Sequence, residues 1–369
     1  MTHLRTIKRN SVFAAVMSAS LVLAGCGINL SSDNSNDNQA QTQETSFTEA
    51  LDRADDWSTT DPRNIEGRTD APAIGDVTPI TDSPEPNLPV SLTDADGNDV
   101  TVTDVSRILA MDLYGTTTRT IAGLGLRDNI VGRAVSSEEP SLKDLPVVTT
   151  GSHDINVEAV LNLQPTVMVV DHSIGPAEAI DKIRDSGVTV VVVDPERTID
   201  AIGEDIKAIA GTLGVNKEGE QLAQRANDER DQAMSKIKDI APSNPMRAAF
   251  MYTRGNGGAF FIVGRERGTE DLFSAVGAED TSVNANIPDM VPGNAESLAK
   301  LNPEVIVMMT SGLESAGGVQ GLLEKPGMSE TDAGKKQRFV AIPDSQALSF
   351  GPQTGEMLLA FAEALYVGK

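Results

Sequence analysis

The chain has 369 residues and a formal net charge of −24 at pH 7. That length argues for two domains of ordinary size, and the negative balance excludes nucleic acid as a partner, because phosphate binding needs a basic face. One Trp and three Tyr are present, so a tyrosine near a functional surface carries unusual weight.

Arg5, Lys8 and Arg9 precede an apolar stretch from Val12 to Leu23 that ends in Leu23-Ala24-Gly25-Cys26, the layout of an export signal. The ending resembles a bacterial lipobox. The resemblance implies that residues 1–25 are removed and that Cys26, the only cysteine, is lipidated and anchors the chain to the extracytoplasmic face of the cell membrane. With no second cysteine no internal disulfide forms, and stability rests on core burial. No later apolar run approaches the roughly 20 residues of a bilayer span, so no transmembrane helix is expected. From Cys26 to Asn87, 13 acidic and three basic residues stand amid Asn, Gln, Ser, Thr and Pro. This composition predicts a disordered acidic tether over residues 26–87, with Trp57 packing locally on the folded body.

Pro89 to Thr103 alternates apolar and polar residues around Asp94-Ala95-Asp96-Gly97, which predicts a hairpin. The Asp-x-Asp-Gly spacing partly matches a calcium loop but lacks the twelfth-position glutamate and the flanking helices, so a β-turn is predicted. Apolar runs then predict strands at Arg107–Met111, Ile130–Val135, Thr166–Val170 and Val188–Val193, with helices between them. Lys217–Ile240 lacks Pro, is rich in Glu, Gln, Arg and Lys, and spaces Leu222, Ala226 and Ala233 along one side, which predicts a long helix. Further strands are predicted at Arg247–Tyr252, Ala259–Val263, Glu304–Met309 and Arg338–Ile342.

Asn156 to Val170 (NVEAVLNLQPTVMVV) recurs 138 positions later as Asn294 to Met308 (NAESLAKLNPEVIVM). Each copy reads as an Asn-capped helix, a Pro-containing turn and a buried strand. The expected architecture is therefore α/β: two Rossmann-like lobes, residues 88–216 and 242–369, joined by a linking helix over 217–241, with a ligand cleft between them. One long helix crossing once makes a stiff joint. The layout resembles the helix-linked substrate-binding lipoproteins of ABC importers for cobalamin, siderophores and heme, through Arg107-Ile108-Leu109-Ala110-Met111, Gly123-Leu124-Gly125 ahead of Ile130-Val131-Gly132, and the two Asn-x-Glu segments.

Gly151-Ser152-His153-Asp154-Ile155-Asn156 runs into the first repeated helix, at the sheet edge where ligands sit in open α/β folds. In the second lobe Met251-Tyr252-Thr253-Arg254-Gly255-Asn256-Gly257-Gly258 leaves a strand at the matching edge. Strand alternation puts Tyr252 and Arg254 on one face, where a guanidinium favours phenolate, a hard anionic donor suited to ferric iron. Neutral imidazole from His153 could take the opposite axial position. The loop containing Gly257 and Gly258 has little side-chain bulk, so a flat macrocycle can approach its backbone. Tyr114, after the first strand, and His172, after the third, are further candidates for the pocket.

These segments resemble the heme-binding lipoproteins of actinobacterial heme importers, in which a His from one lobe and a Tyr from the other clasp ferric heme. The resemblance implies His153 and Tyr252 as axial ligands and Arg254 as the tyrosine's partner. It implies heme as the transported ligand, an ABC permease and its ATPase as partners, upstream heme-carrier proteins as donors, and a monomeric receptor. Glu158 and Glu296, each two residues after its Asn cap, suit the helix dipole, and the family resemblance makes them docking points for permease arginines.

Only two histidines follow the signal, so a three-histidine zinc or manganese site cannot be assembled. Arg254 and Arg265 alone make a poor siderophore cleft, while cobalamin stays open as a cargo. An enzyme of two Rossmann-like lobes is the reading from another class. Gly123-x-Gly125 does not complete a dinucleotide fingerprint, and no nucleophile elbow or phosphate loop is present.

Overall fold

The computed structural model describes residues 46–57, 61–150, 153–254 and 258–368, without the side chain of Arg254. The export signal, Cys26, Gly257 and the first part of the expected tether lie outside the described residues. Chain order gives β1 (Arg68–Asp70), a hairpin of β2 (Val90–Thr93) and β3 (Asp99–Val102), then β4 (Ile108–Met111), β5 (Ile130–Gly132), β6 (Val167–Val170) and β7 (Thr189–Val192). The second half adds β8 (Arg247–Arg254), β9 (Ala259–Ile262), β10 (Glu279–Asp280), β11 (Val291–Pro292), β12 (Val305–Met309) and β13 (Phe339–Ile342).

Among the described residues these form the hairpin and two larger sheets. One is four-stranded and parallel in the order β5-β4-β6-β7; the other is seven-stranded in the order β1-β13-β12-β8-β9-β11, with β10 beside β8. The central strands β4, β6, β12 and β13 are almost wholly buried, as expected for parallel strands covered by helices on both faces. The internal repeat is visible in both sheets. Asn156 caps the helix Val157–Asn162 by accepting from Ala159 N at 3.1 Å. Asn294 caps Ala295–Leu301 by accepting from Ser297 N at 2.9 Å. Gln164 and Asn302, 138 positions apart, both turn the chain through positive φ, at 48° and 35°, before feeding β6 and β12.

The lobes are joined by the helix Asn216–Ile240, whose buried side carries Leu222, Ala223, Ala226, Ala233 and Ile237. It packs on the helix Ile202–Thr212 of the first lobe and on Thr354–Ala362 of the second. A Cβ on Gly219 would come within 2.4 Å of the Ala210 Cβ, so glycine there sets how closely the first pair approaches. Gly125, at φ +90° and 2.2 Å from the Thr81 carbonyl oxygen by the same construction, lets the preceding chain lie against the first lobe. That accounts for the Gly-x-Gly element without a cofactor.

The leading segment departs from expectation. The described residues 46–57 and 61–87 are folded onto the body, so the tether predicted over 26–87 does not run through them. Ser46 and Glu49 form a capping box on the helix Phe47–Asp55, which buries Phe47, Ala50 and Ala54, and Trp57 packs on the same core. β1 then adds in parallel to the edge of β13. Abundant charge concealed an amphipathic stripe, and β1 is held by backbone pairing that composition does not report. The connection between lobes changes accordingly: the chain starts on the seven-stranded sheet, crosses to the four-stranded one, and returns through the long helix, so it crosses twice and not once.

Glu356 fixes this arrangement from inside. It lies buried in the helix Thr354–Ala362 and accepts from the Phe47 backbone N–H at 3.0 Å and from Gln353 Nε2 at 2.6 Å. Burial pushes its carboxyl up to about 7, aided by nearby Glu229. A carboxyl raised on folding contributes stability that is complete below the ordinary carboxylate range and is lost as pH rises toward 7. The thermal midpoint should therefore fall between pH 5 and pH 8 (assay conditions spanning that range), and Glu356→Gln should shrink the difference; an unchanged difference would remove Glu356 from the account.

Candidate functional site

The segments that leave the carboxyl ends of β4 and β13 meet. Asp112, directly after β4, accepts the backbone N–H groups of Tyr114, Thr116 and Thr117 at 2.7, 3.2 and 2.8 Å, which fixes the turn into the helix Thr116–Ile121. From that turn the first lobe reaches the segment after β13. Ser349 Oγ donates to the Tyr114 carbonyl at 3.1 Å and lies 3.1 Å from Thr116 Oγ1. Arg119 donates to Ser349 Oγ and to the Ser345 carbonyl, both at 3.1 Å, while its Nε reaches Glu139 at 3.1 Å. These contacts tie the lobes at the edge where open α/β folds take their ligands.

Tyr252 stands near the carboxyl end of β8, paired with Phe261 of β9. It is half-buried and packs against the large core cluster that also contains Ala248 and Phe250 of the same strand. The neighbouring Thr253 faces the other way and donates to the Gly312 carbonyl at 2.6 Å. β8 continues in register through Arg254, opposite Ala259, so the strand alternation assumed for positions 252 and 254 holds in the backbone. Gly258 is exposed, with open space where a Cβ would be.

His153 sits in a tight turn ahead of the helix Val157–Asn162. Its N–H donates to the Thr150 carbonyl at 2.9 Å, and the Thr150 N–H donates to the Asp154 carbonyl at 2.9 Å. The residue adopts φ +65°, a conformation that non-glycine residues keep only where the surroundings impose it. Because that helix runs back against β6, its start lies level with the carboxyl edge of the sheet. The ring is half-buried, its Nδ1 is shielded from solvent, and no described group accepts or donates there. Burial lowers the imidazole pKa, opposed by Asp154, which keeps the ring in the neutral form that binds metals. His153 and Tyr252 thus occupy the carboxyl edges of different sheets, one on a strained turn and one on a strand.

The remaining candidates divide. His172 is taken by the hairpin: its Nε2 lies 2.7 Å from Asp96 Oδ1, so the ring is a strut to the β2–β3 turn and not a free pocket donor. That turn is the β-turn expected, with Asp94 accepting from Asp96 N and Asn98 N. Tyr114 lies at the lobe junction. The Arg197 guanidinium stacks 5.0 Å from its ring centre and pairs with Asp171. From the other lobe Arg267, held above its ordinary range by Asp289 and by the Tyr114 phenol, approaches the same tyrosine. Sequence reasoning named Tyr114 but missed Arg119, Arg197 and Arg267, because isolated arginines in loops carry no local signal. Glu158 and Glu296 are exposed at their helix starts and make no ion pair among the described residues. No helix among the described residues is long and apolar enough to cross a membrane, and none of their His, Cys, Asp and Glu side chains cluster in threes as a metal site.

Comparison with known proteins agrees with this geometry. Residues 112–346 match the family model for periplasmic binding proteins. An uncharacterized ABC transporter substrate-binding lipoprotein of Bacillus subtilis (strain 168), YvrC, is 24% identical over 281 residues, 76% of this chain and 86% of that one. The crystal structure of the heme binding protein HmuT superposes with a TM-score of 0.82 at 54% identity, over 84% of this chain and 100% of that one. HmuT has also been solved with a single histidine, tyrosine or arginine replaced by alanine. The periplasmic heme-binding protein RhuT from Roseiflexus sp. RS-1, in its apo form, gives a TM-score of 0.65 at 30% identity, over 71% and 98%. These relatives are binding proteins, and with two α/β lobes joined by one long helix, this chain belongs to the periplasmic binding protein family.

Proposed function

We propose that the protein captures ferric heme between its lobes and delivers it unchanged to an ABC permease, held at the extracytoplasmic face of the membrane by a lipid on Cys26. In this reading His153 and Tyr252 are the axial ligands, Arg254 supports the phenolate, and the chain is a carrier that makes and breaks no covalent bond of its cargo. One observation carries it. The histidine and tyrosine replaced in HmuT are separated in sequence as His153 and Tyr252 are, and the arginine lies two positions past the tyrosine, as Arg254 does. The Nδ1 of His153, without a partner among the described residues, and the lowered pKa of its ring support the same reading, since a ligating imidazole is neutral and not tied up by other bonds. Addition of hemin to the purified chain should produce a shifted Soret band that saturates; a band identical to free hemin would end the proposal.

Permease docking through Glu158 and Glu296 can be separated from capture. Both carboxylates are exposed and make no ion pair among the described residues, so reversal to Lys should leave hemin affinity unchanged while lowering uptake in cells. The expected loss is roughly tenfold or more, as for breaking charge pairs across an interface. Wild-type uptake by the doubly reversed protein would reduce the two acids to helix-start residues.

A further inference from the structure

Away from the cleft, at the amino-terminal edge of the seven-stranded sheet, Arg338 is 1% exposed immediately before β13. Its Nη1 donates to Thr69 Oγ1 at 2.8 Å, and its Nη2 donates to the carbonyls of Ala364 and Leu365, each at 2.9 Å. All three acceptors are neutral. The Nε is buried and has no acceptor among the described residues, and burial alone draws the guanidinium down to about 10. A buried cation without a carboxylate is costly, and capping the last helix through two carbonyls explains Nη2 but leaves Nε and the charge unanswered.

Arg338 forms part of the wall of a cavity of about 150 Å³ shared with Arg63, Lys335, Lys336, Glu304 and Asp332. Four cations to two carboxylates is a local excess in a chain whose net charge is −24. Both carboxylates are already engaged, Glu304 by Arg63 at 2.8 Å and Asp332 by Lys335 at 3.1 Å. Lys336 donates to the Arg63 carbonyl at 2.5 Å and, like Arg338, has no carboxylate partner among the described residues. Two cationic residues without a carboxylate partner among the described residues, Arg338 and Lys336, therefore line a space about the size that accepts a benzene-sized molecule.

We propose that this cavity binds one small oxyanion, a phosphate or carboxylate group, which supplies the counter-charge for Arg338 and Lys336. Arg63 comes from the leading segment and the other cations from the second lobe, so the anion fastens that segment to the sheet. The site lies at the sheet edge opposite His153 and Tyr252 and is independent of cargo capture.

The test uses the whole chain with inorganic phosphate titrated at constant ionic strength against chloride, reading the thermal midpoint. The wild type should show a saturable rise, as for any ligand that binds only the folded state. Lys336→Glu, an exposed position whose loss should not prevent folding, should raise the apparent dissociation constant about tenfold or more. Sedimentation with phosphatidylglycerol vesicles, against phosphatidylcholine vesicles, forms the second arm. A response to phosphate that Lys336→Glu abolishes supports a soluble anion; a response to the phosphatidylglycerol vesicles alone, abolished the same way, supports a lipid headgroup. No response in either arm, or equal responses from both proteins, overturns the proposal.

Discussion

Tyr252→Phe should lower the affinity for ferric heme by at least about a hundredfold while leaving the fold intact. The reasoning is one of ranking: loss of a group that merely orients a metal ligand costs roughly ten- to a hundredfold, and the proposed role of the phenolate is that of a ligand itself, the only anionic donor in the proposal. Phenylalanine keeps the half-buried ring that packs on the core cluster containing Phe250, so the substitution removes the oxygen without opening a cavity. His153→Ala should cost less, because a neutral imidazole contributes no charge to a ferric centre, and its spectrum should become that of a single-ligand species. Arg254→Ala should weaken binding about tenfold. Transfer of heme to excess apomyoglobin measures all three. Wild-type retention by Tyr252→Phe would dismiss the tyrosine as a ligand whatever the other two variants did.

Much of this architecture is written locally in the chain. Strands buried on both faces need continuous apolar runs, and Val167–Val170 and Val305–Met309 have them; Asn156 and Asn294 announce their helices because a side-chain cap acts within three residues. His153 and Tyr252 are proposed on another ground, the match of short segments to a known family; the positive-φ turn at His153 and its Nδ1 without a partner among the described residues cannot be read from composition. The leading segment was misjudged because stability there comes from distant partners: Phe47 docks on Glu356, 309 positions away, and β1 on β13. Strand β5 ends at Gly132 and not at Val135 because the chain there turns to pair Arg133 with Val147. Arginines that join lobes are likewise long-range features, set by where two edges meet and not by their neighbours in sequence.

Arg119→Met should destabilise the protein by about 3–5 kcal/mol at neutral pH, the cost of leaving a buried charge without its partner. Arg119 and Glu139 are buried together, with side chains 5% and 2% exposed, 3.1 Å apart. Burial already raises the Glu139 carboxyl despite the opposing pull of Arg119, and without the guanidinium it rises further. A carboxyl raised on folding gives stability that is present below its ordinary range and disappears as pH climbs through the raised value, so Arg119→Met should be nearest to wild type in acid and furthest from it above neutrality. Replacing the pair, as Arg119→Met with Glu139→Leu, removes the stranded charge and should restore most of the stability. The double variant still lacks the bonds to the Ser345 carbonyl and Ser349 Oγ, which link one lobe to the other. If those bonds hold the lobes in the geometry that lets a histidine and a tyrosine share one iron, heme should leave the double variant about tenfold faster although its thermal midpoint has recovered. Recovery of both midpoint and off-rate would confine Arg119 to the folding of the first lobe.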